Sequence, residues 1–405
     1  MTPRERVLAA LNHQESDRVP VDLSGHRSSG IAAIAYPKLR KYLGLTPKPV
    51  RVYDVIQQLA IVDQDVLEQF GVDTIELGRG FALDNRSWSQ WTLPDGTPAF
   101  IPSWIQLERD KGRWVICSKT GKVLAQMPDG TLYFEQTYFP LLESAYDLRM
   151  IDQAFEECMW TYIASPPGPS DSMTLAEGAR QLRERTDRAI IGLFGGNLFE
   201  MGQFFYRNDQ FMMLLASEPK RAHRFLDRLV EIHLANLERF LKAVGKYIDV
   251  ILFGDDLGMQ TGPMMSPEMY REFFKPRHKL LWNRAKKLAN IKVMLHCCGG
   301  VRELLSDIID AGADAINPVQ ITCARMDASE LKREFGRDIT FWGGGCDTRD
   351  VLPNGTPHQV AEHVRGQVEI LRPGGGFVFQ QVHNILANVP PENIVAMFDA
   401  VKVMS

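Results

Sequence analysis

The sequence predicts an α/β protein, a (β/α)8 (TIM) barrel with an inserted β-hairpin region in its N-terminal half. Three observations carry this. From residue 172 onward, strand-like run, loop and helix-like run alternate at intervals of roughly 25–50 residues, as a chain of βα units does. The strand-like runs are continuously apolar rather than alternating, as expected where a parallel sheet is covered on both faces. With two short runs upstream they number about eight, the count that closes a barrel. A doubly wound open sheet is the runner-up, but no Gly-x-Gly-x-x-Gly follows the first strand.

In chain order, residues 2–12 read as a helix with Thr2 as N-cap, Pro3 in its first turn and Glu5 three residues after the cap. "RVPVDLSG" (18–25) reads as a strand ending in the loop "GHRSSG". Residues 31–43 and 53–70 carry helical spacing, with Ile56, Leu59, Val62, Val66 and Phe70 on one face. "VDTIELG" (72–78) is a further strand. Between 85 and 145, "LPDGTPAF" and "MPDGTLYF" place Asp-Gly turns between β-formers, and a "KTG" turn separates "RWVICS" from "KVLAQM". This is the inserted β-rich segment of an otherwise single domain covering 1–405. Helices at 172–186, 199–216, 219–244, 267–289, 301–311, 327–335, 358–371 and 391–403 then alternate with "RAIIGLFGG", "YIDVILFGDD", "IKVMLHCCGG", "ADAINPVQ", "DITFWGGGCDT" and "GGFVFQQVHN".

Composition excludes some classes of function. The chain has 405 residues, 45% hydrophobic and 24% charged, with a net charge of −4, so no polyanion-binding surface is expected and nucleic acid is not a partner. No apolar run is long enough to cross a membrane. The start reads as a charged helix rather than a leader, and six cysteines without a secretion signal are expected reduced in a cytoplasm.

In a barrel, chemistry collects at the C-terminal strand ends. Those ends carry His26 and Arg27, Asp255 and Asp256, His296, Cys297 and Cys298, Asn317 and Gln320, Cys346, and His383. His296 and Cys298 are two apart, so on extended backbone both side chains point one way and Cys297 the other. Zinc takes nitrogen and thiolate ligands, and a catalytic site needs three of them. His383 or Cys346 is the candidate for the third. The opposing reading is a hydrogen-bonded core histidine beside small buried thiols. Asp255 and Asp256 are candidate proton-handling carboxylates, one of which could instead cap a segment. His26 and Arg27 offer cationic groups to a polar substrate, against an ordinary Ser-rich loop. Asn317, Gln320 and Met264 are candidate cofactor contacts, with Met264 serving equally well as core filler.

The segments "TPRERVLAALNHQESDRVPV", "GPMMSPEMYREFFKPRHKLL", "LHCCGGVRELLSDIIDAGADAINPVQ", "ELKREFGRDITFWGGGCDTRDVLPNGTPHQVAEHV" and "GGGFVFQQVHNILANVPPENIVAMFDAV" resemble the uroporphyrinogen decarboxylase superfamily. The resemblance runs over most of the chain and implies a (β/α)8 barrel. It implies one of two chemistries: cofactor-free decarboxylation of a tetrapyrrole's acetate side chains, or zinc-dependent methyl transfer involving a corrinoid protein or coenzyme thiol. The decarboxylases carry Arg-Gln-Ala-Gly-Arg-Tyr after the first strand to hold substrate carboxylates. Here that place reads "LSGHRSSGIAAIAYPKLR" and only Arg27 remains near it, which argues against a polycarboxylate substrate.

The methyltransferase branch uses His-x-Cys at one strand end and a later cysteine. This chain has His296-Cys297-Cys298 and, at the late position, His383. The resemblance therefore points to a zinc-dependent methyltransferase with a corrinoid (cobalamin) carried by a partner protein and a small-molecule methyl donor. An O-methylated donor, an aromatic methyl ether first, is expected, with Trp88, Trp91 and Trp104 as candidate covers for its ring. The family also raises a homodimer.

Overall fold

In the computed structural model, residues 1–80, 87–142, 148–164 and 172–404 are described. The ends of the expected β-rich segment, 85–86 and 143–145, lie outside them. Seven parallel strands form one sheet: β1 (Thr74–Glu76), β2 (Ala189–Gly195), β3 (Val250–Gly254), β4 (Lys292–His296), β5 (Ala315–Asn317), β6 (Thr340–Trp342) and β7 (Phe377–Val378). They hydrogen-bond in sequence order, β1 to β7. Consecutive parallel strands need a crossover, and helices supply it. Segment 20–22 bonds to both edges. Phe379 N donates to the Pro20 carbonyl and Asp22 N to the Phe379 carbonyl, each at 2.8 Å, and Asp73 N donates to the Val21 carbonyl at 2.8 Å. The ladder thus runs from β7 through 20–22 to β1. Pro20 has no N–H to give, which keeps this link to a bridge rather than a full strand.

The N-terminal helix α1 (Pro3–Leu11) begins with the expected capping box, Thr2 accepting from Glu5 N while the Glu5 carboxylate accepts from Thr2 N. It buries Val7, Ala10 and Leu11 against Ile191, Val250, Leu252, Met294, Trp342 and Val378. These come from strands β2, β3, β4, β6 and β7, so α1 plugs one mouth of the sheet. Gly376 N donates to the Ala10 carbonyl at 3.0 Å and Arg4 Nε to Asp249 at 2.7 Å, both just before a strand begins. The plugged end is therefore the N-terminal one, and the strands' C-terminal ends stay free for chemistry.

Two predicted helices differ. Into the expected helix 53–70 runs the end of a strand, Val50–Asp54; a second strand covers Leu59–Ala60, and helix forms only over Gln64–Gln69. "VRVYD" alternates buried and half-buried side chains, a period of two, and β-branched valines favour it. The expected helix 199–216 is two helices, Phe199–Tyr206 and Asn208–Ser217, separated by Arg207 at φ +67°. Between 88 and 136 the chain forms antiparallel hairpins, as the Asp-Gly turns predict.

Asp73, just before β1, is fully buried and binds both Arg6 (2.5 Å) and Arg18 (2.7 Å). It also accepts from Val21 N at 2.8 Å, so it joins α1 to the sheet. Removing one member of a buried ion network leaves the others uncompensated. Asp73→Ala is expected to cost about 3 kcal/mol or more, read as a lower urea midpoint than wild type; an unchanged midpoint would refute the assignment.

Candidate functional site

Strand β4 carries Met294 into the interior and ends at His296, on the same side two residues on. Just past the strand end, Cys298 Sγ lies beside the His296 ring. Cys297 faces the other way: it is fully buried and its Sγ lies 3.3 Å from Leu257 N, which donates to it. The pair is held tightly from above. At Gly299 (φ +92°) a Cβ would come within 2.2 Å of the Gly258 carbonyl carbon, so only glycine fits. Gly299 N donates to Gln320 Oε1 at 2.7 Å and Cys298 N to Asp256 Oδ1 at 2.8 Å.

His296, Cys298 and His383 converge. One ligand atom from each lies within 4.8 Å of the others. His296 Nε2 is 3.4 Å from Cys298 Sγ, and the two imidazole centroids are 6.0 Å apart at 62°. Tetrahedral zinc with bonds of about 2.0–2.3 Å holds its donors roughly 3.3–3.8 Å apart, so a small contraction forms the site. Two nitrogens and one thiol are zinc's own donor set, and three protein ligands leave a fourth position for substrate.

The charge environment suits a cation. Burial pushes the Cys298 thiol well up, and the negative Asp256 adds to it. Such a thiol stays protonated unless a metal replaces the proton, since coordination deprotonates it outright. Burial, then the neighbouring His296 and His26, lowers His383 to about 3. Its ring is neutral near pH 7, with a nitrogen lone pair available. All three side chains are half-buried.

The remaining expected residues fall into place around it. Asp256 lies beside the cluster, its Oδ1 3.7 Å from His296 Nε2. Asp255 does not: it is fully buried and caps the helix Phe199–Tyr206, accepting from Leu198 N (3.2 Å), Phe199 N (3.0 Å) and Glu200 N (2.9 Å), with His278 Nε2 at 3.0 Å. Its oxygens are committed, which leaves no free acid or base there. Asn317 is buried beneath His296 and accepts from its Nδ1 at 2.9 Å. Gln320 accepts from the Gly299 backbone N–H. Met264 packs half-buried on the core.

Cys346 stands apart from the cluster, fully buried, with its thiol 3.8 Å from the Asp347 carbonyl; burial pushes that thiol up as well. Among the described residues it is His383, and not Cys346, that joins His296 and Cys298 in a group that could hold an ion. His26 is buried against Asp22 (3.1 Å), and Arg27 lies 3.5 Å from Asp54. Trp91 is buried edge-on against Trp114, Trp88 lies under Arg51, and Trp104 packs on the core.

Glu200 escaped the sequence reading. Asn197 Nδ2 donates to its carboxylate at 2.6 Å. Burial first, then Asp256 and Asp255, pushes its carboxyl well up. The signal for it was the glycine-rich end of β2 leading into a helix, whose first turn, just past the strand's C-terminal end, carries this acid.

A model of the family described as uroporphyrinogen decarboxylase (URO-D) matches residues 166–404. The chain belongs to this family. Within it, the chain is 31% identical over 152 residues to a methylated-thiol–coenzyme M methyltransferase of Methanosarcina mazei, covering 37% of this chain and 36% of that one. It is 28% identical over 155 residues to the methylcobamide:CoM methyltransferase MtaA of Methanosarcina barkeri, covering 38% and 41%. It is 25% identical over 249 residues to the uroporphyrinogen decarboxylase of Legionella pneumophila (strain Corby), covering 59% and 66%. The matches thus span about two-fifths of the methyltransferase relatives and under two-thirds of the decarboxylase. A solved methyltransferase from Methanosarcina mazei shares the fold over 100% of this chain and 99% of its own, with a TM-score of 0.58 and 18% identity.

The geometry generates a metal-content prediction. Protein purified without added metal is expected to carry about one zinc per chain. Cys298→Ser and His383→Ala should each lose it, while Cys346→Ser should keep it. Elemental analysis checks this; zinc retained in His383→Ala but lost in Cys346→Ser would reverse the assignment.

Proposed function

We propose that the chain is a zinc-dependent methyltransferase that moves a methyl group from an O-methylated small molecule, an aromatic methyl ether first, to the Co(I) corrinoid of a partner protein. The His296–Cys298–His383 cluster carries the proposal, because its donor set and its half-buried placement suit a catalytic zinc. Similarity to two methyltransferases named for coenzyme M, one also for a methylcobamide, supports the reaction class. The reading takes 1–405 as one (β/α)8 barrel domain bearing 85–145 as an insertion, acting in the cytoplasm.

Zinc bound there would supply a Lewis acid for the substrate oxygen. The chain's own groups do the rest. Asn317 holds His296 at Nδ1, which leaves Nε2 beside Cys298. Asp256 holds the Cys298 backbone in position. Glu200, kept protonated by burial and two neighbouring carboxylates, holds a proton on its carboxyl at the barrel mouth, suited to an oxygen leaving group. A decarboxylase reading finds less support, since the one arginine after the first strand faces Asp54.

The test supplies an aromatic methyl ether and cob(I)alamin and follows methylcobalamin by absorbance. Wild type should form it, and Cys298→Ser should be slower by a factor of about 100 or more, the scale of losing metal-supplied charge stabilisation. Methylcobalamin formed from a methylated thiol but from no methyl ether would overturn the substrate class. Release of CO2 from a porphyrinogen would overturn the reaction.

A further inference from the structure

The chain leaving β3 and the ligand loop leaving β4 stay joined past the strand ends, but by an altered ladder. The two strands pair up to Gly254 and His296, and one regular rung follows, Asp255 N to the His296 carbonyl at 2.9 Å. An even parallel ladder would next send Cys298 N to the Asp255 carbonyl and Leu257 N to the Cys298 carbonyl. Two side chains take these N–H groups instead. Asp256 Oδ1 accepts from Cys298 N at 2.8 Å, and Cys297 Sγ accepts from Leu257 N at 3.3 Å. The Cys298 carbonyl accepts from Gly258 N at 3.2 Å, one residue later than the regular pattern, and Gly300 N donates to the Met259 carbonyl at 2.8 Å.

On the other side of the loop the ladder runs on unbroken. Cys297 N donates to the Asn317 carbonyl at 2.5 Å, as the β4–β5 register requires. Cys297 is therefore fixed by its backbone to β5 and by its sulfur to the chain after β3. Cys297 and Leu257 are both fully buried. A buried N–H left without an acceptor costs about 1–3 kcal/mol, so even a weak acceptor such as sulfur matters there. The slipped register has room because position 258 is glycine: a Cβ there would stand 2.8 Å from the Cys298 carbonyl oxygen. The effect appears at the cluster. Side chains two residues apart on a regular strand rise from points about 6.6 Å apart. Where the ladder breaks, Cys298 Sγ comes within 3.4 Å of His296 Nε2.

We propose that Cys297 is a positioning residue of this site: its thiol takes the Leu257 N–H, ends the regular β3–β4 ladder just past His296, and so brings Cys298 alongside His296 and His383. The two adjacent cysteines then have separate tasks. Cys298 belongs to the cluster, while Cys297 holds the backbone between the two ligands from outside it. Alanine at 297 removes the acceptor for Leu257 N, whereas serine keeps one at Oγ. Support of this kind behind a metal ligand is worth roughly 10–100-fold in metal affinity. The consequence for zinc rests on the metal reading above; the contact between Cys297 and Leu257 does not.

The test compares full-length wild type, Cys297→Ala and Cys297→Ser. Zinc affinity is read by chelator competition, and exchange of the Leu257 amide is read by NMR on the metal-free proteins. Cys297→Ala should bind zinc about tenfold more weakly and exchange its Leu257 amide faster, and Cys297→Ser should recover most of both losses. Gly258→Ala, which presses on the Cys298 carbonyl without touching a ligand, should weaken zinc binding as well and stands in if Cys297→Ala does not fold. Wild-type zinc affinity in Cys297→Ala, or equal weakening in the alanine and serine variants, overturns the proposal, since packing volume alone would then explain the residue. If wild type binds no zinc, the metal reading fails by itself, while an unchanged Leu257 amide in Cys297→Ala would separately refute the contact.

Discussion

One hydrogen bond orients the site: Asn317 Nδ2 to the carbonyl of Trp342, strand to neighbouring strand. A buried amide left unpaired is costly, so its two ends cannot exchange. With the nitrogen turned to Trp342, the oxygen faces His296, and the ring of the first candidate ligand has one favoured proton position. The parallel sheet makes this possible. In β4, β5 and β6 the strand-terminal residues lie side by side, so His296, Asn317 and the residue after it in the ladder meet in register. A metal ligand and the group that orients it thus arrive on consecutive strands about twenty residues apart in sequence.

The electrostatics follow from burial. Two buried or half-buried thiols, two imidazoles and three carboxylates share the C-terminal mouth, and without a cation their interests conflict. Cys298 is held protonated and Glu200 is held neutral, because each additional negative charge near Asp256 is unfavourable in a partly dry site. A divalent cation would relieve both. The donor set of His296, Cys298 and His383 suits such a cation, while Asp256 also holds the Cys298 backbone. Asp255 shows the contrast. Its charge is met by three helix N–H groups and His278, a stable structural use of a buried carboxylate.

Much of this was legible in the sequence, and for physical reasons. Continuous apolar runs give parallel strands, Thr2 and Glu5 give a capped helix, and the two-residue period of a strand puts His296 and Cys298 on one side. What failed to show was what depends on distance in space. His383 and Cys346 both follow strand ends, and only the path of each loop decides which reaches the cluster. Adjacent aspartates look alike in sequence; the helix that Asp255 caps begins more than fifty residues earlier. Residues 53–70 mislead because apolar spacing there fits a helix, while Leu59–Ala60 pair antiparallel with the strand Val50–Asp54 that runs into the segment. His26 read as a substrate contact because a loop after a first strand usually faces the mouth, yet Asp22 and Ser28 draw it under the sheet's rim.

The central claim is that His296, Cys298 and His383 alone from this chain grip zinc. Zinc K-edge absorption on the metal-loaded protein tests it most directly. The account predicts a first shell of one sulfur at about 2.3 Å and two imidazole nitrogens at about 2.0–2.1 Å, with a light atom completing the tetrahedron. A shell with two sulfurs would bring in Cys297 or Cys346 and contradict the assignment of His383. A shell of light atoms only would contradict the site itself.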